Sequence, residues 1–148
     1  MTITLNERFL LDSNVLVYAQ NEGSEFFDRA KNVLHDCQTG LKQGVIAQQN
    51  ISEFIRIYYQ VYKRPLKEVL AVADEFLFHS NLKVISPLAS TLSTFVNLLK
   101  SDKQGYFDVF DYYLAATMID SGVGTILTAN AKDFVKVKGI KVVDLGEI

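Results

Sequence analysis

Tryptophan is absent from this 148-residue chain, and it holds one cysteine, two histidines and two prolines. With Cys37 alone, an internal disulfide and a thiolate metal cage are both excluded. His35 and His79 are too few for a histidine-based zinc site unless carboxylates complete it, and both fall in helical patterns where solvated or capping roles are expected. No apolar run approaches the ~20 residues needed to cross a bilayer. The first eight residues lack the basic and apolar regions of a secretory signal, so a cytoplasmic protein is expected. Neither sign of charge dominates. At a formal net charge of −2, bulk electrostatics does not advertise nucleic-acid binding. Lysine and arginine gather locally, at Arg56, Lys63, Arg64 and Lys67 and again at Lys132, Lys136, Lys138 and Lys141, where solvated faces are the first reading.

What is present is an ordinary globular balance, 49% apolar and 22% charged, consistent with one domain over residues 1–148. Phe9-Leu10-Leu11 runs straight into Asp12, and a helical pattern (Val15, Leu16, Tyr18, Ala19) begins at once. Such a short, wholly apolar run reads as a buried strand of a parallel sheet. Further strands are expected at 44–48, 82–85, 124–128 and 140–144. Helices are expected over 24–38, from Ile51 to about Lys63, over 66–79, from about Leu88 to Lys100 and over 108–120, with a polar turn at 101–105. The run from Ile51 to His79 reads as the one extended helical insertion. Alternating strands and helices predict a three-layer α/β/α fold, its parallel sheet covered by helices on both faces.

The acids fall at the element junctions. Asp12 ends the first strand, Glu53 sits in the first turn of the helix after the second, and Asp108 and Asp111 open a later helix. Asn130 follows the fourth strand directly, with Asp133 just beyond. Singly, each reads as a helix cap: Asn50-x-x-Glu53 has capping-box spacing, Asp108-x-x-Asp111 less closely so, and Asp12 and Asn130 suit N-caps. Together they read differently. Strand ends and helix starts of a parallel sheet share one edge, where ligands collect. Carboxylates gathered there raise one another's pKa unless a cation lies among them. With oxygen as the only donor in supply, Mg²⁺ or Mn²⁺ is favoured, the setting for metal-assisted phosphodiester chemistry.

Leu11-Asp12-Ser13-Asn14, Glu53-Phe54, Asp111-Tyr112-Tyr113-Leu114-Ala115-Ala116 and Thr128-Ala129-Asn130-Ala131-Lys132-Asp133-Phe134 resemble the PIN-domain nucleases. Within them the chain is most similar to the virulence-associated protein C toxins of toxin–antitoxin pairs. The resemblance implies a PIN-like fold and a Mg²⁺- or Mn²⁺-dependent ribonuclease, together with an antitoxin partner and a homodimer. Asp12, Glu53 and Asp111 match the family's three metal-ligating acids. A fourth polar position, often aspartate in the family, falls at Asn130, whose amide can orient a water but adds no charge. Asp108 is the residue that would compensate as an extra ligand, with Asp133 a weaker candidate. Ser13, Asn14 and Thr128 match polar positions around the site and are expected to hydrogen-bond its acids. Arg56, Lys132 and Lys136 are expected to neutralise flanking phosphates of the RNA.

Two other readings compete. A haloacid dehalogenase-like phosphatase also begins with a strand ending in aspartate, but it needs a second acid where Asn14 stands. A non-catalytic PIN-like module would bind RNA or protein and use the acids as caps. The aromatic residues Tyr58, Tyr59, Tyr62, Phe76 and Phe78 are read as core, on a helix pair that could also offer a groove to an antitoxin helix or a second copy.

Overall fold

Phe9, Leu10 and Leu11 are wholly buried because their strand, β1 (Arg8–Leu11), is the middle of a five-stranded sheet. In this computed structural model, residues 2–102 and 108–148 are described. The other strands are β2 (Gln43–Ala47), β3 (Lys83–Ile85), β4 (Thr125–Thr128) and β5 (Lys141–Asp144). Their order is β3-β2-β1-β4-β5, and every pairing is parallel.

Successive strand residues point to opposite faces, so the apolar run of β1 feeds two cores. Phe9 and Leu11 join Ile46, Leu127 and Val143 beneath α1 (Ser13–Tyr18), α2 (Phe27–Gln38), α3 (Gln48–Arg56) and α4 (Leu66–Phe78). Leu10 joins Val45, Ala47 and Ile126 on the other face, under Leu114 and Met118 of α6 (Val109–Asp120) and Phe134 of α7 (Ala131–Phe134). The three-layer α/β/α architecture is therefore as expected.

The differences lie at the helix ends. Helix α3 starts at Gln48 rather than Ile51, because the Asn50 side chain accepts from Ala47 N at 2.8 Å and closes the turn there. Glu53 is thus in the second turn of α3, and the expected Asn50–Glu53 capping box does not form. Beyond Arg56 the helix widens into a π-helical turn, Ile57–Val61, and stops ahead of Pro65 with Lys63 at φ +57°. Helix α2 begins at Phe27, three residues after Ser24, and α5 (Thr91–Ser101) three residues after Leu88. In the latter case the Thr91 hydroxyl accepts from Leu88 N at 2.9 Å. Lys103, Gln104 and Gly105 of the expected polar turn lie outside the described residues.

The run from Ile51 to His79 is not the only helix-to-helix stretch: among the described residues α5 and α6 also follow one another in the element order. Hydroxyls of Ser90, Thr91 and Thr94 at the start of α5 all donate to Asp120 at the end of α6, at 3.1, 2.8 and 2.8 Å. Of the five aromatic residues read as core, only Tyr58 and Phe76 are buried; Tyr59, Tyr62 and Phe78 are exposed.

Packing of α2 on β2 depends on a missing side chain. A Cβ at Gly44 would lie 2.6 Å from both the Cβ and Sγ of buried Cys37. Gly44→Ala is expected to lower stability by about 1–3 kcal/mol through overpacking, read as a lower midpoint in thermal unfolding. An unchanged midpoint would show that α2 can shift freely.

Candidate active site

Because all five strands are parallel, β1 and β4 deliver their carboxyl ends side by side. Asp12 N continues the ladder onto Leu127 O at 3.0 Å, so Thr128 stands next to Asp12. The Thr128 hydroxyl donates to Asp12 Oδ2 at 2.8 Å, and Asn14 Nδ2 reaches the same oxygen at 3.3 Å. Asp12 Oδ1 accepts from Ser13 N at 2.8 Å, which caps α1 as the sequence suggested. Asn14 spans the strands, donating to Thr128 Oγ1 at 3.2 Å and accepting from Ala129 N at 3.1 Å.

Glu53 arrives from α3 with both oxygens engaged. Ser13 Oγ donates to Oε2 at 2.7 Å and Gln49 Nε2 to Oε1 at 2.9 Å. Helix α6 brings Asp111 in its first turn, behind Asp108, whose carboxylate caps Phe110 N at 2.8 Å. Asn130 accompanies Asp12 from the end of β4; its backbone N–H donates to Thr128 Oγ1 at 3.0 Å, and its side chain makes no cap.

Asp12, Ser13, Asn14, Glu53, Arg56, Asp108, Phe110, Asp111, Asn130 and Asp133 share one cleft of about 300 Å³. Among the described residues, five carboxylates thus face it with one guanidinium. A larger hollow of about 590 Å³ shares none of these residues, and its Glu68 is already paired with Arg64 at 2.7 Å. The acid cleft is where the charge is unbalanced. Burial pushes the Asp111 carboxyl up to about 7, helped by the charges of Asp108, Asp12, Asp133 and Glu53. Burial likewise carries Asp12 up to about 6, and the charge of Glu53 adds to the rise. The hydrogen bonds from Thr128 and Ser13 hold it back.

Among the described residues, no three acidic, histidine or cysteine side chains close on a point to enclose an ion. The donor set nevertheless fits a hard divalent cation: it is all oxygen, strongly negative and served by one cation among the described residues, and burial with acidic neighbours raises the pKa of Asp111 and Asp12 within it.

Asp12, Glu53, Asp108, Asp111 and Asn130 meet, with Ser13, Asn14 and Thr128 bonded around them. Arg56 lines the cleft, whereas Lys132 and Lys136 stand exposed on and beyond α7 and do not line it. Asp133, read as a cap or surface residue, does reach the cleft and adds to the charge felt by Asp111. Two residues were missed. Gln49 holds Glu53 and also donates to Phe110 O at 3.0 Å, which ties α3 to α6. Its i,i+4 spacing to Glu53 was the available signal. Phe110, exposed at the cleft, carried none, because an apolar residue in a helix start reads as core.

A five-stranded parallel sheet in this order, with acids gathered at its carboxyl edge, defines an open α/β architecture with its candidate site where such sheets bind ligands. The chain belongs to the PIN-domain family, whose family model matches residues 9–140. Comparison with curated protein sequences returned no match. Among solved structures it is similar to VapBC2 from Rickettsia felis bound to a promoter DNA fragment, with TM-score 0.67 and 21% identity over 93% of this chain and 98% of that one. A toxin–antitoxin complex from Klebsiella pneumoniae matches with TM-score 0.61 and 20% identity, over 92% and 96% of the two chains. VapC20 of Mycobacterium tuberculosis, described as a sarcin–ricin loop cleaving toxin, matches with TM-score 0.62 and 13% identity, over 80% and 86%.

Proposed function

We propose that this chain is a divalent-metal-dependent endoribonuclease and the toxin of a toxin–antitoxin pair. The observation that carries the reading is the convergence of five carboxylates from four separate segments on one cleft with, among the described residues, a single cation. Membership of the PIN family supports nuclease chemistry. The likeness to toxin–antitoxin complexes, and to a toxin named for cutting an RNA loop, supports the partner and the substrate class.

In this reading Asp12, Glu53 and Asp111 hold Mg²⁺ or Mn²⁺, with Asp108 adding charge from the α6 cap. The ion's chemistry, when bound, is to acidify water and offset charge on a phosphate. The chain supplies the rest. Ser13, Thr128, Asn14 and Gln49 donate to Asp12 and Glu53 and fix the carboxylates in orientation. Asn130, neutral at the cleft mouth, orients the attacking water. Arg56 neutralises the phosphate at the cleft, and Lys132 and Lys136 meet the strand further along. No protein nucleophile is required.

An antitoxin would cover apolar side chains left in water on the helices, among them Phe78 and Leu92, and a second copy of the chain would pair through the same class of surface. No helix among the described residues is long and apolar enough to cross a membrane.

The test is cleavage of a mixed RNA pool by purified protein in Mn²⁺, Mg²⁺ and EDTA, beside Asp12→Asn. Cuts that need the metal and vanish in the variant are expected. Cuts that persist in Asp12→Asn would refute the assignment. No cutting in either metal would leave a binding module whose acids serve as caps.

A further inference from the structure

Phe110 stands at the acid cleft, and the cutting chemistry proposed above makes no use of it. Among the described residues two aromatic rings line the cleft: Phe134 is 1% exposed and Phe110 is 67% exposed. A phenyl ring so far in water gains from being covered, by ~25 cal/mol for each Å² removed. Its backbone, by contrast, is fixed on both sides. Phe110 N donates to Asp108 Oδ1 at 2.8 Å, and Phe110 O accepts from Gln49 Nε2 at 3.0 Å. The same Gln49 amide donates to Glu53 Oε1 at 2.9 Å, so one side chain ties the base of the ring to an acid of the cleft.

The surroundings narrow what could cover the ring. Five carboxylates beside it repel any anion until the divalent cation proposed above offsets them, so the group that meets the phenyl face itself must be uncharged. A nucleobase is neutral and planar and offers a π-face, and its own phosphate would lie toward the cleft. We propose that Phe110 is the stacking platform for a base of single-stranded RNA whose scissile phosphate lies in the acid cleft. This rests on the nuclease reading. Because every base has a π-face, the contact sets the register of the strand and the need for an unpaired base, rather than its sequence. Gln49 is then a positioning residue, which keeps the platform and Glu53 at one spacing.

The chain has no tryptophan, so Phe110→Trp introduces a single fluorophore at the proposed contact. Its emission is followed while a single-stranded RNA oligonucleotide is added, with Ca²⁺ replacing Mn²⁺ to slow cutting. Saturable quenching by the single strand, and much less by a fully paired duplex, is expected. Phe110→Ala should bind the oligonucleotide about 5- to 150-fold more weakly, given ~1–3 kcal/mol per stacked base. Its KM in Mn²⁺ should rise more than its kcat falls, and Phe110→Tyr should restore it. Wild-type KM in Phe110→Ala, with the wild type active, would overturn the platform and leave the nuclease reading standing. Wild-type protein that neither binds nor cuts RNA would overturn both. Emission that responds to protein concentration and not to RNA would make the ring a protein contact and overturn the stacking role.

Discussion

Asp111→Asn is expected to abolish metal-dependent cleavage and, in EDTA at pH 8, to raise the melting temperature. The first effect follows from removing one of three acids assigned to the metal, a loss of about 100-fold or more. The second follows from linkage. The Asp111 carboxyl is raised to about 7 in the folded protein, chiefly by burial and then by its acidic neighbours. A folded-state pKa above the unfolded value means that the fold prefers the protonated form. The stability contributed by that proton is complete below the unfolded pKa near 4 and is lost as pH rises through about 7. Asparagine stays neutral throughout, so the variant escapes the loss. Discounted for solvent screening at a half-buried group, the gain is about 1–2 kcal/mol, or roughly 2–8 °C. The two proteins should converge near pH 4. A metal-free variant that melts below wild type at pH 8 would make the carboxylate structural.

Metal addition should act in the opposite sense on the wild type. At pH 7.5, Mn²⁺ at about 100 times its dissociation constant stabilises a native state by ~2.7 kcal/mol, or roughly 5–10 °C here. The gain should shrink as pH falls through 7 and then 6, because Asp111 and Asp12 take up protons over that range and compete with the ion. It should be largely absent in Asp111→Asn. A shift of equal size at pH 5 and pH 7.5 would place the ion elsewhere on the protein.

Much of this was legible in the residues because local and global signals agreed. Phe9-Leu10-Leu11-Asp12 is apolar on both faces, which only a central parallel strand accommodates, and that fixes where Asp12 emerges. Glu53 and Asp111 precede buried Phe54 and Leu114, so their helices could be seated on the core from sequence. Helix starts were less legible, since they depend on single side-chain bonds: Asn50 to Ala47 N moved α3 back by a turn, and Leu88 N to Thr91 delayed α5. Exposure of a residue inside an apolar pattern was not legible at all. Phe110 and Phe78 have the composition of core and stand in water, and which of two faces a ring takes is settled by distant packing. Gln49 was overlooked for a different reason, because its second partner, Phe110 O, is far away in sequence.

The cleft between β1, α3 and α6 is proposed above as a site for a hard divalent cation. Electron paramagnetic resonance of Mn²⁺ titrated into the protein at pH 7.5 tests it without reference to any RNA. The signal of free aqueous Mn²⁺ should be suppressed in wild type until the site fills, and should reappear at once in Asp111→Asn and in Glu53→Gln. A full free-ion signal from the first addition to wild-type protein would contradict the account.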